Sequence, residues 1–116
     1  MNADIDTMNA QIRQLEEEQY KVDKELLSAQ RDEEEEEQYT NREILELSFM
    51  REDFRGDIRV LQALDEKHDS LSRVKKERTE MLHIIDDKRK NSKIETESRI
   101  DELQKQIRKV VKKDDD

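Results

Sequence analysis

The chain has 116 residues, of which 47% are charged and 31% hydrophobic, and its formal net charge is −9. This composition excludes a compact multilayer core and favours long helices that meet along narrow apolar stripes. The acidic balance argues against nucleic-acid binding, and the lack of cysteine and of long apolar runs argues against disulfides, thiol chemistry and membrane spans.

The first predicted element, arm one, covers about residues 4–54. Residues spaced three and four positions apart from Ile5 to Ala29 are apolar except for Gln19, which is the pattern of a single stripe on one helix face. The pattern stops at the acidic run 32–37, and an apolar stretch resumes from Ile44 to Phe54. That stretch is broader than one stripe, so we expect it to contact more than one helix.

A turn is predicted at about residues 55–57, because Gly56 is the only glycine and the chain has no proline. Glycine adopts φ > 0 without steric cost, so we expect Gly56 to reverse the chain in the left-handed conformation. Phe54 is expected to pack back on the last turn of arm one. Asp57 is expected to cap the N-terminus of the second helix.

Arm two covers about residues 58–112. Apolar residues follow the same spacing from Ile58 to Leu71 and from Ile100 to Val110, with a further cluster from Val74 to Ile85. Ser92 followed by Glu95 has the form of a capping box, so the sequence leaves open whether arm two is continuous or kinked near Asn91. Residues 114–116 are predicted to be a frayed acidic tail.

These elements predict an all-α fold in which residues 1–113 form one antiparallel two-helix hairpin of the coiled-coil type. Three sets of opposite charges face each other in this fold: the glutamate run 33–37 with Lys75, Lys76 and Arg78; Asp4 and Asp6 with Lys105 and Arg108; and Asp23 with Lys88, Arg89 and Lys90. An antiparallel dimer of extended chains would pair the same charges, so that arrangement stays open. One stripe per arm buries little surface, and we therefore expect a homodimer or hetero-oligomer that forms a four-helix or larger bundle.

Two carboxylate–histidine pairs, Asp65 with His68 and Glu80 with His83, have the spacing found in di-iron helical bundles. They lie on one arm, about 22 Å apart along a helix, and cannot share a metal ion. We interpret His68 as a stripe position and His83 as a boundary position. The sequence therefore predicts no catalytic activity, no cofactor and no metal site.

The tripeptide Phe54–Arg55–Gly56 lies at the midpoint of this helical chain. An all-helical chain of about this length with a central aromatic-x-Gly resembles the WXG-type (ESAT-like) proteins of type VII secretion. In that family a Trp-x-Gly turn joins two antiparallel helices, and Phe54 stands here in place of the tryptophan. The chain is similar in particular to the small helical accessory proteins encoded beside LXG-domain toxins.

The resemblance implies a targeting factor or chaperone that binds the helical N-terminal domain of an LXG-type toxin and promotes its export. We expect helix-in-groove packing by apolar side chains. The candidate contact residues are Leu45, Leu47, Phe49, Met50, Phe54, Ile58, Leu61, Leu64 and Leu71. The family's Tyr/Phe-x-x-x-Asp/Glu export signal follows the second helix, whereas the matching pairs here, Tyr39–Glu43 and Phe49–Asp53, lie on arm one.

The N-terminus lacks the basic start and apolar core of a signal peptide, so we expect a cytoplasmic protein that leaves the cell, if at all, in complex with its partner. Two other functions fit the same features. A coiled-coil escort or stalk protein of type III or flagellar export shares the polar hairpin without needing the central aromatic-x-Gly. A purely structural coiled coil has no role in secretion.

Overall fold

The computed structural model describes residues 2–115 of the chain. It contains two α-helices, α1 (Asn2–Asp53) and α2 (Ile58–Asp115). Cross-helix contacts within the single chain, such as Asp23 with Arg89, show that the helices pair as an antiparallel hairpin. The predicted fold class is thus confirmed, and the four-helix bundle stays a prediction. The helical backbone includes Asp115 of the predicted tail, whereas Asp116 lies outside the described residues.

Helix α2 runs without a break through Asn91. Ser92 does not cap a new helix; instead its hydroxyl donates a hydrogen bond across the hairpin to Gln19. Both helices also carry polar pairs one turn apart, such as Gln30 with Glu34 and Arg99 with Glu95. Such pairs favour helix in segments that bury little surface.

The described residues fall into two compact units, each built from segments of both helices. The terminal unit comprises Met1–Leu27 and Asp86–Asp116, and the turn unit comprises Ser28–Ile85. Both helices pass through both units. Each unit has its own seam, meaning the line of buried and half-buried side chains between its two helical segments.

The seam of the terminal unit is apolar near the chain ends. Its half-buried apolar residues are Ile5, Met8, Ile12, Leu15, Leu26 and Leu27 on α1 and Ile100, Leu103, Ile107 and Val110 on α2. Its other part is polar: Gln19 Oε1 accepts hydrogen bonds from Ser92 Oγ at 3.0 Å and from Thr96 Oγ1 at 2.7 Å. Asp23 Oδ1 accepts a further hydrogen bond from Arg89 Nε at 3.3 Å.

The seam of the turn unit contains four buried residues, namely Thr40, Leu47, Leu64 and Ile85. The half-buried residues include Glu33 and Glu37, so the seam continues through residues 32–37, where the apolar spacing stops. Glu33, Thr40 and Leu47 follow one another at intervals of seven residues, which keeps them on one face of α1. Thr40 satisfies its hydroxyl within α1 by donating to the carbonyl of Glu36 at 3.0 Å.

A charged layer occupies the part of the turn-unit seam that is far from the turn. Arg78 Nη1 donates to Glu33 Oε2 at 3.1 Å, and Arg78 Nη2 donates to Glu36 Oε2 at 3.3 Å. The predicted apposition of the glutamate run with Arg78 is confirmed. Lys75 and Lys76 are exposed, and neither joins an ion pair with any described residue.

The other predicted charge contacts are met only in part. Asp23 pairs with Arg89 as expected. Lys90 instead pairs with Asp86 one turn earlier on α2, at 2.9 Å, and the hydrogen bond from that carboxylate raises the pKa of Lys90. Arg108 Nε donates to the carbonyl of Gln104 on its own helix at 3.4 Å. The register is therefore set by a few cross-helix contacts, while other charges pair locally.

The turn itself differs from the prediction. The Asp57 N–H donates to the Phe54 carbonyl at 3.0 Å, which closes a turn around Arg55 and Gly56. No described residue has a positive φ, and this includes Gly56. The expected left-handed glycine is therefore wrong, since the chain reverses without a positive φ at Gly56; turns of type I, for example, need negative φ at both central residues.

Asp57 caps the second helix as predicted. Its Oδ1 accepts hydrogen bonds from the backbone N–H groups of Arg59 at 3.1 Å and Val60 at 3.3 Å. The Asp57 carbonyl accepts the first α-helical hydrogen bond, from Leu61 N–H at 3.0 Å. The start of α2 is therefore fixed by a side-chain cap.

Candidate partner-binding surface

The predicted contact residues separate into two groups in the structure. Leu47 and Leu64 are buried, and Leu61 and Leu71 are half-buried. These four residues belong to the internal seam of the turn unit. The second group is exposed and consists of Leu45, Phe49, Met50, Phe54 and Ile58. We call this second group the tip surface.

Leu45 and Phe49 belong to the tip surface because α1 is apolar on two opposite faces near its end. Leu45 and Phe49 are 57% and 63% exposed, whereas Leu47 between them is 6% exposed. Two helix positions correspond to a rotation of about 160°, so Leu45 and Phe49 point away from the seam that holds Leu47. The breadth of the predicted apolar stretch thus reflects one internal face and one external face.

Charged groups border the tip surface. Arg51 forms a salt bridge with Asp65 across the hairpin. Arg55 donates to Glu52 at 2.8 Å beside the turn. Arg42, Glu46 and Asp53 are exposed on α1. An apolar centre with a charged rim is the usual anatomy of a protein-binding surface.

Other exposed apolar residues are more scattered. Val74, Met81 and Ile84 lie on α2 in the turn unit, and Tyr20, Ile94 and Val111 lie in the terminal unit. Val74, Met81 and Ile84 share one side of α2, whereas Tyr20, Ile94 and Val111 are single exposed side chains, which are normal on protein surfaces. The tip surface differs because its five exposed apolar side chains are concentrated at one end of α1 and around the turn.

The two export-type pairs lie on α1 within the turn unit. Tyr39, Phe49 and Asp53 are exposed, and Glu43 is half-buried. Members of each pair are one helical turn apart and share a face. Phe49 and Asp53 therefore belong to the same part of the surface as Leu45. The role of either pair in export stays a prediction.

The histidines do not form a site. His68 is exposed and lies 3.9 Å from the carboxylate of its neighbour Asp69, so its predicted placement in the stripe is wrong. His83 is exposed as well. In the part of the chain that the structure describes, no group of three or more His, Cys, Asp or Glu residues could hold a metal ion.

Comparison of the chain with protein-family models, with curated proteins and with solved structures finds no match in any of the three. The fold therefore defines the class of protein, an all-α antiparallel hairpin with an exposed apolar surface. Neither helix, over its described residues, has an apolar stretch long enough to cross a lipid bilayer.

Proposed function

We propose that the chain is a non-enzymatic targeting factor or chaperone that binds a helical domain of another protein through the tip surface. The observation that carries this proposal is the exposure of Leu45, Phe49, Met50, Phe54 and Ile58 beside a seam that is already filled. Burying a large apolar side chain contributes about 1.5–3 kcal/mol, so two or three such anchors drive association.

The proposed mechanism is packing of an amphipathic partner helix along the outer face of α1 near the turn. Leu45 and Phe49 would fill the space between side chains of the partner helix, and Phe54 and Ile58 would extend the contact onto the turn. The acidic groups Glu46 and Asp53 at the rim favour a partner whose apolar stripe is bordered by lysine or arginine.

The finer proposal is that the partner is the helical N-terminal domain of an LXG-type toxin and that binding promotes its export by type VII secretion. Support comes from the resemblance to WXG-type proteins, which rests on Phe54 and Gly56 at the turn of a hairpin of similar length. The exposure of Phe54 leaves it available for a partner.

Calorimetric titration of the full chain with the N-terminal domain of an LXG toxin encoded beside it tests this proposal. We expect Phe49→Asp and Phe54→Ala each to weaken binding by about tenfold or more, as for a central aromatic anchor. Tyr20→Asp is the matched control for Phe49→Asp, because Tyr20 is an exposed aromatic in the terminal unit. Circular dichroism should show unchanged helicity in all three variants.

Unchanged affinity of both tip variants would reject the tip surface as the contact. The neighbouring genes test the secretion role separately: an LXG toxin gene is expected beside this one. A type III or flagellar export operon would instead favour the escort protein, and a structural coiled coil would bind no toxin domain.

A further inference from the structure

One strip of α1 has a pattern that is complementary to itself. The outer strip comprises Arg42, Leu45, Phe49 and Asp53, which are spaced three or four residues apart and are all exposed. It lies on the face of α1 opposite the buried Leu47. Arg42 and Asp53 form no ion pair with any described residue. The strip thus has an apolar centre, a cation at one end and an anion at the other.

Two antiparallel copies of this strip fit together about a two-fold axis level with position 47. Residues at equal distances before and after position 47 then face each other, so Leu45 of one copy meets Phe49 of the other. Arg42 and Asp53 lie on the same side of the strip, about 20° apart around the helix. The two-fold axis therefore brings Arg42 of each copy next to Asp53 of the other, at heights that differ by about 1.5 Å.

The remaining edge of the strip is also matched. Asn41 and Glu52 lie on its opposite side, and the same axis brings the Asn41 amide of one copy near the Glu52 carboxylate of the other. A parallel pairing would instead put Arg42 against Arg42 and Asp53 against Asp53. Charge and apolar complementarity together select the antiparallel arrangement over the parallel one.

We propose that the outer strip is a homodimer interface in which α1 of one copy packs antiparallel to α1 of a second copy. This is an isologous contact, in which one surface meets itself. The strip covers only about three helical turns, so the interface is small and the dimer is weak. The inference extends the proposed function, since Leu45 and Phe49 also belong to the tip surface: dimerisation would cover that surface until a partner displaces the second copy.

Sedimentation equilibrium of the full chain alone, over a wide range of protein concentration, tests the interface. We expect a concentration-dependent monomer–dimer equilibrium. Arg42→Asp and Asp53→Arg should each weaken the dimer by about tenfold, because each puts like charges together twice per dimer. The double variant R42D/D53R should recover most of the loss, since the exchanged charges again meet as opposites.

Matched controls carry the same charge changes in the terminal unit. Arg13→Asp, Glu17→Arg and their double variant alter exposed residues of α1 outside the strip and should leave the dimer unchanged. Circular dichroism verifies that each variant remains helical. Phe49→Asp should abolish the dimer.

Three outcomes would overturn the proposed interface: a chain that stays monomeric at all concentrations, a dimer that is insensitive to Phe49→Asp, or a double exchange no better than the single variants. The experiment contains no toxin domain. Its failure would therefore leave the calorimetric test of the proposed function intact, and failure of toxin binding would leave the dimer intact.

Discussion

Replacement of Arg78 by leucine perturbs the charged layer of the turn unit most directly. Arg78 is the only basic residue that contacts the glutamate run within the described chain, through Glu33 and Glu36. Its loss leaves Glu33 half-buried and without a cation. We expect Arg78→Leu to destabilise the hairpin, and Glu33→Leu to do so less, because Arg78 would keep its contact with Glu36.

The exposure of these side chains determines how much stability the hairpin loses in Arg78→Leu. Arg78 and Glu33 are 25% and 27% exposed, so their pair lies between the about 0.2–1 kcal/mol of exposed pairs and the about 3–5 kcal/mol lost on breaking buried ones. Glu36 is 58% exposed and contributes on the exposed scale. The Nε atom of Arg78 is buried without a hydrogen-bond partner, so removing it relieves some desolvation cost. We therefore expect Arg78→Leu to lower the free energy of unfolding by about 1–2 kcal/mol.

The double variant E33L/R78L should be at least as stable as the wild type, because two leucines then extend the apolar seam. Urea unfolding followed by circular dichroism, at one fixed protein concentration, measures all four chains. A coupling energy of about 1 kcal/mol or more is expected between positions 33 and 78. Glu35→Leu is the control, because Glu35 is exposed and forms no ion pair in the described chain. Additive effects of the two single changes would refute the proposed coupling across the hairpin.

Changes at three further positions probe the turn and the polar part of the terminal seam. Gly56→Ala should keep or slightly raise stability, by up to about 1 kcal/mol, because the added methyl group meets no atom within 4 Å and φ is not positive; a clear loss in a thermal melt would favour the left-handed turn. Asp57→Ala should cost about 1 kcal/mol in the same melt, whereas Asp57→Asn should cost little, because asparagine retains the capping oxygen. Gln19→Ala should cost about 1 kcal/mol by removing the acceptor for Ser92 and Thr96, and unchanged amide exchange around residue 92 would contradict that contact.

Much of the fold was predictable because the sequence offers few alternatives. Without proline and with one glycine, the two arms have no interior helix breaker, and the chain reverses where that glycine lies. The apolar spacing from Ile5 to Leu15 identified the terminal seam. The charge match between the glutamate run and Arg78 identified the register, since opposite charges on two helices stabilise a hairpin only when they face each other.

Two features depend on position more than on residue type. The apolar spacing stops at the glutamate run, yet Glu33 keeps the seven-residue spacing between Leu26 and Thr40. A half-buried glutamate is tolerated there because Arg78 reaches it. Gly56 was assigned a left-handed conformation because glycine permits it, whereas the turn needs only negative φ. That glycine can adopt a positive φ does not show that the turn requires one.

The sequence alone could also have predicted which of the contact residues are buried and which are exposed. Leu45, Leu47 and Phe49 cannot all lie on one face of a helix, because each step of two residues turns about 200°. Leu45 and Phe49 share a face, and Leu47 lies on the opposite one. Leu47 falls on the stripe that contains Glu33 and Thr40, and the other two must then face outward. The identity of the partner is not encoded in this periodicity, since an exposed apolar strip accepts any complementary helix.

Hydroxyl-radical footprinting of the chain with and without the toxin N-terminal domain tests the tip surface most directly. The method reads oxidation of individual aromatic and methionine side chains in the wild-type chain. At a protein concentration where the free chain is monomeric, binding is expected to protect Phe49, Met50 and Phe54, while Tyr20, which is 70% exposed in the terminal unit, stays as reactive as before. Protection of Tyr20 with unchanged reactivity of the tip residues would contradict the assignment of the tip surface as the partner-binding site.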